Sequence, residues 1–130
     1  MVSENDPGLM PDSEPVLLLI ARARDTNMFG DIYAGWLVDH MDQAAETVAT
    51  GAAQGRCATV SIDQLDFMSP IPVGSRVAIY ASAPEIGRSS ITVTLEAWIQ
   101  GQGDPVKVTQ GTWVMVSIGQ DGRIRPLKAF

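Results

Sequence analysis

The sequence predicts an α+β domain in which one long helix is wrapped by a curved antiparallel sheet of about five strands. Trp36, Leu37, Met41, Ala44, Ala45, Val48 and Ala49 recur near the helical period within one stretch. Downstream the period changes to two, most clearly where Ile91, Val93, Leu95, Ala97 and Ile99 alternate with Thr92, Thr94, Glu96 and Trp98. A chain of 130 residues, 45% of them hydrophobic, supplies one core of ordinary domain size. A single helix set apart from a run of strands joined by short turns gives the α+β class.

The elements follow in chain order. Residues 1–15 hold three prolines and the acids Glu4, Asp6, Asp12 and Glu14, so they read as a flexible leader ahead of a single domain over 16–130. Residues 16–23 are apolar enough for a buried strand, and 25–30 form a polar loop. A helix of about five turns then ends near Gly51 or Gly55. In the next strand Ala58, Val60 and Ile62 set one phase, which slips at Asp63-Gln64 so that Leu65 and Phe67 take the apolar positions; a bulge is expected there. Pro70 and Pro72 stop the pairing. A strand over 76–83, a turn over 84–87, the alternating strand 91–99, a turn over 101–104 and a last strand 106–118 complete a mostly meandering sheet.

Composition narrows the function classes. The net charge of −6 opposes nonspecific nucleic-acid binding, which needs basic surface to neutralise phosphates. No apolar run is long enough to span a bilayer, and the start lacks the basic and apolar regions of a secretory signal, so a cytoplasmic location is expected. Cys57 is the one cysteine, which excludes an intrachain disulfide and a multi-cysteine zinc site; no metal is expected, and Cys57 reads as a small packed residue.

The candidate chemistry centres on Asp42, a carboxylate placed among apolar helix residues at the edge of the expected core. A polar, glycine-punctuated loop leads into this helix: Asp25-Thr26-Asn27, then Gly30-Asp31-Ile32-Tyr33-Ala34-Gly35-Trp36, then Met41-Asp42. Later landmarks are Gly55-Arg56, Phe67-Met68-Ser69-Pro70-Ile71-Pro72-Val73-Gly74 and Gly87-Arg88-Ser89-Ser90. Over residues 16–118 this ordered set resembles the small bacterial acyl-CoA thioester hydrolases of the hotdog-fold thioesterase superfamily.

The resemblance implies hydrolysis of acyl-CoA to free fatty acid and coenzyme A, without a cofactor beyond the coenzyme carried by substrate and product. It implies Asp42 as general base or nucleophile and Asn27 as the amide that orients water or the carbonyl. Gly35 and Ala34 fall where a helix N-terminus offers unpaired N–H groups to an oxyanion. Arg88, Ser89, Ser90 and Arg56 are the candidate coenzyme A-binding residues, with Arg123, Arg125 and Lys128 as further cations. Asp25 and Asp31 read as turn or capping residues. The resemblance also implies a homo-oligomer, a dimer or a trimer of dimers, with Asn27 and Asp42 of one site drawn from different chains.

Four positions depart from the family pattern. Ala34 replaces the first glycine of a Gly-Gly pair and so narrows the approach to the backbone. Asp39 lies one helical turn before Asp42, where like charges repel. His40 is the sole histidine, about 200° around the helix from Asp42, which disfavours a dyad within one chain. Ser69 stands where a basic residue is usual. Two other classes stay open at this level: an enoyl-thioester hydratase or dehydratase, which requires His40, and a noncatalytic acyl-CoA-binding module, which binds without turnover.

Overall fold

The computed structural model describes residues 8–101 and 103–127. These form β1 (Leu17–Ile20), a 3-10 turn (Ala23–Asp25), α1 (Ala34–Ala53), β2 (Cys57–Phe67), β3 (Arg76–Ala81), β4 (Glu85–Ile86), β5 (Ser90–Gln100) and β6 (Val106–Ser117). All pairings are antiparallel, in the order β1-β3-β5-β6-β2, with β4 on the flank of β5. The helix-on-sheet architecture and the long helix agree with the sequence reading. The sheet has six strands, and it is less of a meander than expected, because β2 crosses to the far edge beside β6 while β3 pairs with β1.

α1 runs 20 residues, and its apolar stripe is buried: Trp36, Leu37, Met41, Ala44, Ala45, Ala49 and Ala53 all face the sheet. Four of these seven are alanine, so little side-chain volume separates the helix backbone from the strands it crosses. The helix stops at Gln54, whose backbone turns left-handed with φ 54° and whose N–H donates to the Thr50 carbonyl. Arg125 reaches across from the C-terminal segment and donates from Nη2 to the carbonyl of Ala53 at 2.9 Å, supplying a partner that the helix itself cannot provide.

The core lies between α1 and the concave face of the sheet. Ile91, Val93, Leu95 and Ala97 of β5 and Trp113 and Met115 of β6 are fully buried there, as the alternation predicts. The alternation holds through Ile99, and Trp98, on the opposite face, is nevertheless buried, with Ala78, Tyr80 and Met10 around it. That face of β5 is therefore less polar than its sequence implies. Met10 belongs to the expected leader; residues 1–7 of that leader lie outside the described residues.

Three strands differ from the expected ranges. β1 is shorter than 16–23 because the chain leaves the sheet at Ala21 and winds into the 3-10 turn. The expected turn over 84–87 contains β4, which pairs Glu85 with Thr92 and Ile86 with Ile91. In β2 the expected bulge exists: Asp63 pairs with Thr112 and Asp66 with Gln110, so Gln64 and Leu65 together face Gly111. A further shift between Thr59 and Ser61 was not legible. Val60 and Ile62 consequently lie exposed, whereas Thr59 reaches the helix.

Candidate active site

Asp42 sits in the third turn of α1, beside the buried Met41 and Ala45, and is half-buried. Its Oδ1 accepts two hydrogen bonds, from Thr59 Oγ1 at 2.7 Å and from Trp113 Nε1 at 3.0 Å. Thr59 comes from β2 and Trp113 from β6, strands that pair with one another, so helix and sheet meet at this carboxylate. Both bonds end on the same oxygen, and Oδ2 has no hydrogen-bond partner among the described residues. Neither Thr59 nor Trp113 is marked by a spacing rule. The usable signal was Thr59 itself, a hydroxyl among β-branched and apolar neighbours in the strand after the helix.

Asn27 is exposed in the loop before α1, and its side chain builds that loop. Oδ1 accepts from the backbone N–H of Phe29 at 2.9 Å and of Asp31 at 3.1 Å, while the Asn27 N–H donates to the Asp31 carbonyl at 2.7 Å. Gly30 completes the turn with φ +84°, a conformation that glycine adopts without strain. With Oδ1 engaged, Nδ2 is the group left to meet a ligand. The tip of the loop displays Met28 and Phe29, 89% and 80% exposed. Asp25 accepts the Arg22 N–H at 3.0 Å and caps the 3-10 turn, as expected for it. No hydrogen bond joins Asn27 to Asp42.

Ala34 and Gly35 open α1. The first hydrogen bond of the turn is Trp36 N–H to the Tyr33 carbonyl at 3.1 Å, which leaves the Ala34 and Gly35 N–H groups ahead of the helix ladder. A Cβ added at Gly35 would meet only the Tyr33 ring, at 3.5 Å, so packing within the chain does not demand glycine. Beside them Ile32, Tyr33, Ala34, Leu37, Phe67 and Met68 are among the residues lining a cleft of about 360 Å³, with Ser69 on its wall.

The other candidates gather at the opposite end of the helix. The carbonyl of Arg56 accepts from Ile118 N–H at 2.8 Å, and that of Ser89 from Ser117 N–H at 2.9 Å, so Arg56 and the turn carrying Arg88, Ser89 and Ser90 flank the end of β6 from its two sides. Arg56 and Arg88 are exposed. At Gly87 a Cβ would fall 2.5 Å from Ser90 Oγ, so a side chain there would force the Ser90 hydroxyl to turn away. Arg125 is spent on the Ala53 carbonyl and is a structural cap rather than a free cation. Arg123 is exposed, and Lys128 lies outside the described residues. Since α1 is about 30 Å long, one chain does not bring Ala34 and Gly35 to Arg56 and Arg88.

His40 packs its ring against Trp36, with centroids 5.1 Å apart at 70°, and its Nδ1 is buried without a hydrogen-bond partner among the described residues. Cys57 is buried, and burial pushes its thiol pKa up, with Arg125 opposing and Glu46 adding to the effect. Among the described residues no cluster of His, Cys, Asp and Glu is arranged to hold a metal ion, and no helix is long and apolar enough to cross a membrane.

Comparison with known proteins adds the family. The model of the family described as thioesterase superfamily matches residues 29–106. The acyl-CoA thioester hydrolase YciA of Salmonella typhimurium is 35% identical over 122 residues, covering 90% of this chain and 92% of that protein. The crystal structure of the hexameric thioesterase y2039 from Yersinia pestis is 36% identical with TM-score 0.84, covering 92% of this chain and 99% of the other. A hexameric hotdog fold thioesterase of Campylobacter jejuni is 30% identical with TM-score 0.81, covering 89% and 91% of the two chains. With one long helix on a curved antiparallel sheet and relatives that match almost end to end, the chain belongs to the hotdog-fold thioesterase superfamily.

Proposed function

We propose that this chain hydrolyses acyl-CoA thioesters to a carboxylic acid and free coenzyme A, with Asp42 as the reactive carboxylate. The observation that carries this reading is the half-buried Asp42, held through Oδ1 by Thr59 and Trp113 and offering Oδ2. Water adds to the thioester carbonyl, the C–S bond breaks, and the coenzyme leaves as its thiolate. A thiol pKa of about 8.5 lets that thiolate depart without an acid partner, so a lone carboxylate suffices. Oδ2 has two routes to the same products: it takes the proton from the attacking water, or it attacks the carbonyl and forms an anhydride that water then cleaves. The N–H groups of Ala34 and Gly35 are the donors assigned to the oxyanion. This chemistry assigns no role to His40, whose ring packs against Trp36.

The working form in this proposal is a homo-oligomer, a trimer of dimers, in which Asn27 of one chain serves Asp42 of another. The separation of Ala34 and Gly35 from Arg56 and Arg88 along α1 and the exposed Met28 and Phe29 support it. Arg56, Arg88, Ser89 and Ser90 are assigned to the coenzyme, and the anionic phosphates explain why cations cluster there on an otherwise acidic chain.

The test is thiol release from short, medium and long acyl-CoA substrates by the native protein and by Asp42→Asn at matched oligomeric mass. Turnover by the native protein and a loss of about 10²- to 10⁴-fold in the variant are expected. No thiol release from any acyl-CoA overturns the hydrolase, and full activity in the variant overturns the role of Asp42. A light-scattering mass of one chain overturns the oligomer.

A further inference from the structure

We propose that Trp113 is a positioning residue for the hydrolysis, that its indole N–H makes Oδ2 the working oxygen of Asp42, and that Gly111 seats the indole for this purpose. The proposal rests on the hydrolase reading and adds to it the residues that aim the carboxylate. Trp113 is fully buried, and its Nε1–H has one acceptor, Asp42 Oδ1, at 3.0 Å. Thr59 saturates the same oxygen at 2.7 Å. Two donors on one oxygen of a freely rotating carboxylate fix its χ2 and present the other oxygen. Preorganisation of this kind lowers the cost of reaching the transition-state geometry.

The indole is itself held from outside the site. Gly111 pairs with Leu95 on β5 and faces the bulge of β2, where Gln64 and Leu65 stand opposite it. A Cβ at Gly111 would lie 2.9 Å from Trp113 Cζ3 and 2.9 Å from Leu65 Cδ1. Both distances are below any tolerable carbon contact, and the indole is a rigid plate, so a methyl group there moves the ring or the leucine. Gln64 has φ 55°, an unusual backbone state for a residue with a side chain, and this turn of the bulge sets Leu65 against the core. A chain of contacts thus runs from the bulge through Leu65 and the Gly111 gap to the indole, and from the indole N–H to Asp42.

Substrate-free nitrogen-15 NMR of the tryptophan indoles, combined with steady-state thiol release, tests the proposal on the intact oligomer. The chain has three tryptophans, and loss of one indole signal in Trp113→Phe assigns it. Asp42→Asn is expected to move that signal. Gly111→Ala is expected to move it too and to lower kcat about tenfold with KM within twofold of native, because a hydrogen bond to a charged group is being misaligned. Trp113→Phe, which keeps an aromatic ring and removes the donor, is expected to match that fall in kcat. An indole signal indifferent to Asp42→Asn, or native kcat in both Gly111→Ala and Trp113→Phe, overturns the positioning role. Native protein that shows the Asp42-dependent signal yet releases no thiol from any acyl-CoA overturns the hydrolase reading, and the positioning role with it, while leaving the contact intact.

Discussion

Thr59 and Asp42 are 17 residues apart in the chain and meet at 2.7 Å, hydroxyl to carboxylate, across the seam between helix and sheet. The bond aims the carboxylate and ties β2, an edge strand, to α1. Thr59→Val keeps the shape and removes the donor. A hydrogen bond to a charged, part-buried group contributes about 1.5–3 kcal/mol, so kcat is expected to fall about ten- to a hundredfold, and Thr59→Ser is expected to recover most of it. Equal kcat for Thr59→Val and native protein would remove the hydroxyl from the account.

Arg125 is expected to matter for stability. Its Nη2 donates to the last carbonyl of α1, and its charge lies at the negative end of the helix dipole. Arg125→Met keeps the aliphatic stem and is expected to cost about 1–2 kcal/mol, read as a lower denaturant midpoint at unchanged slope. Gly55→Ala should act in the same direction, because its Cβ would fall 2.9 Å from Arg125 Nη2. An unchanged midpoint in both variants would mean that water replaces the cap at no cost.

α1 and β5 were legible because each keeps one hydrophobic period over many residues: Trp36 to Ala49 at 3.6, Ile91 to Ala97 at 2. β2 was half legible. The slip at Asp63-Gln64 changes the apolar phase and so leaves a trace, whereas the shift at Val60 swaps one β-branched residue for another and leaves none. β4, two residues long, is shorter than any periodicity can register. At the site, Asp42 drew notice as a charge in an apolar stripe. Its partners did not, since contacts across 17 and 71 residues are made by the fold and carry no local signature. For Asn27 the family resemblance pointed to an amide that orients water or the carbonyl, and its Oδ1 bonds to Phe29 and Asp31 add a turn-making role.

Arg56 and Arg88 carry the proposed coenzyme contacts, and their effect should depend on the nucleotide. Both are exposed, so each is expected to contribute little alone, a rise in KM of about two- to fivefold on reversal to Glu. The double reversal should raise KM for acyl-CoA further and leave KM for an acyl-pantetheine thioester, which lacks the nucleotide phosphates, near native. Added salt should shrink the difference for acyl-CoA, because exposed charge pairs are screened. Equal effects on both substrates would place these arginines away from the coenzyme.

Cys57 gives the chain a pH dependence with a definite sign. Burial raises its pKa, more than the nearby Arg125 lowers it, and Glu46 pushes in the same direction as burial. The folded state therefore holds the thiol proton more tightly than the unfolded chain does. Its contribution to stability is full below the unfolded thiol pKa, about 8.5, and is lost as pH rises through the higher folded value. Denaturant midpoints are expected to fall between pH 8 and pH 10 in native protein, and to fall less in Cys57→Ala, whose packing loss of about 1 kcal/mol shows at pH 7. The two curves should converge at alkaline pH. The same burial predicts slow alkylation by iodoacetamide at pH 8 in the folded protein and fast alkylation once denaturant exposes the strand. Parallel pH slopes for native and variant, or equally fast alkylation in both states, would show that the thiol is not shielded at the base of β2.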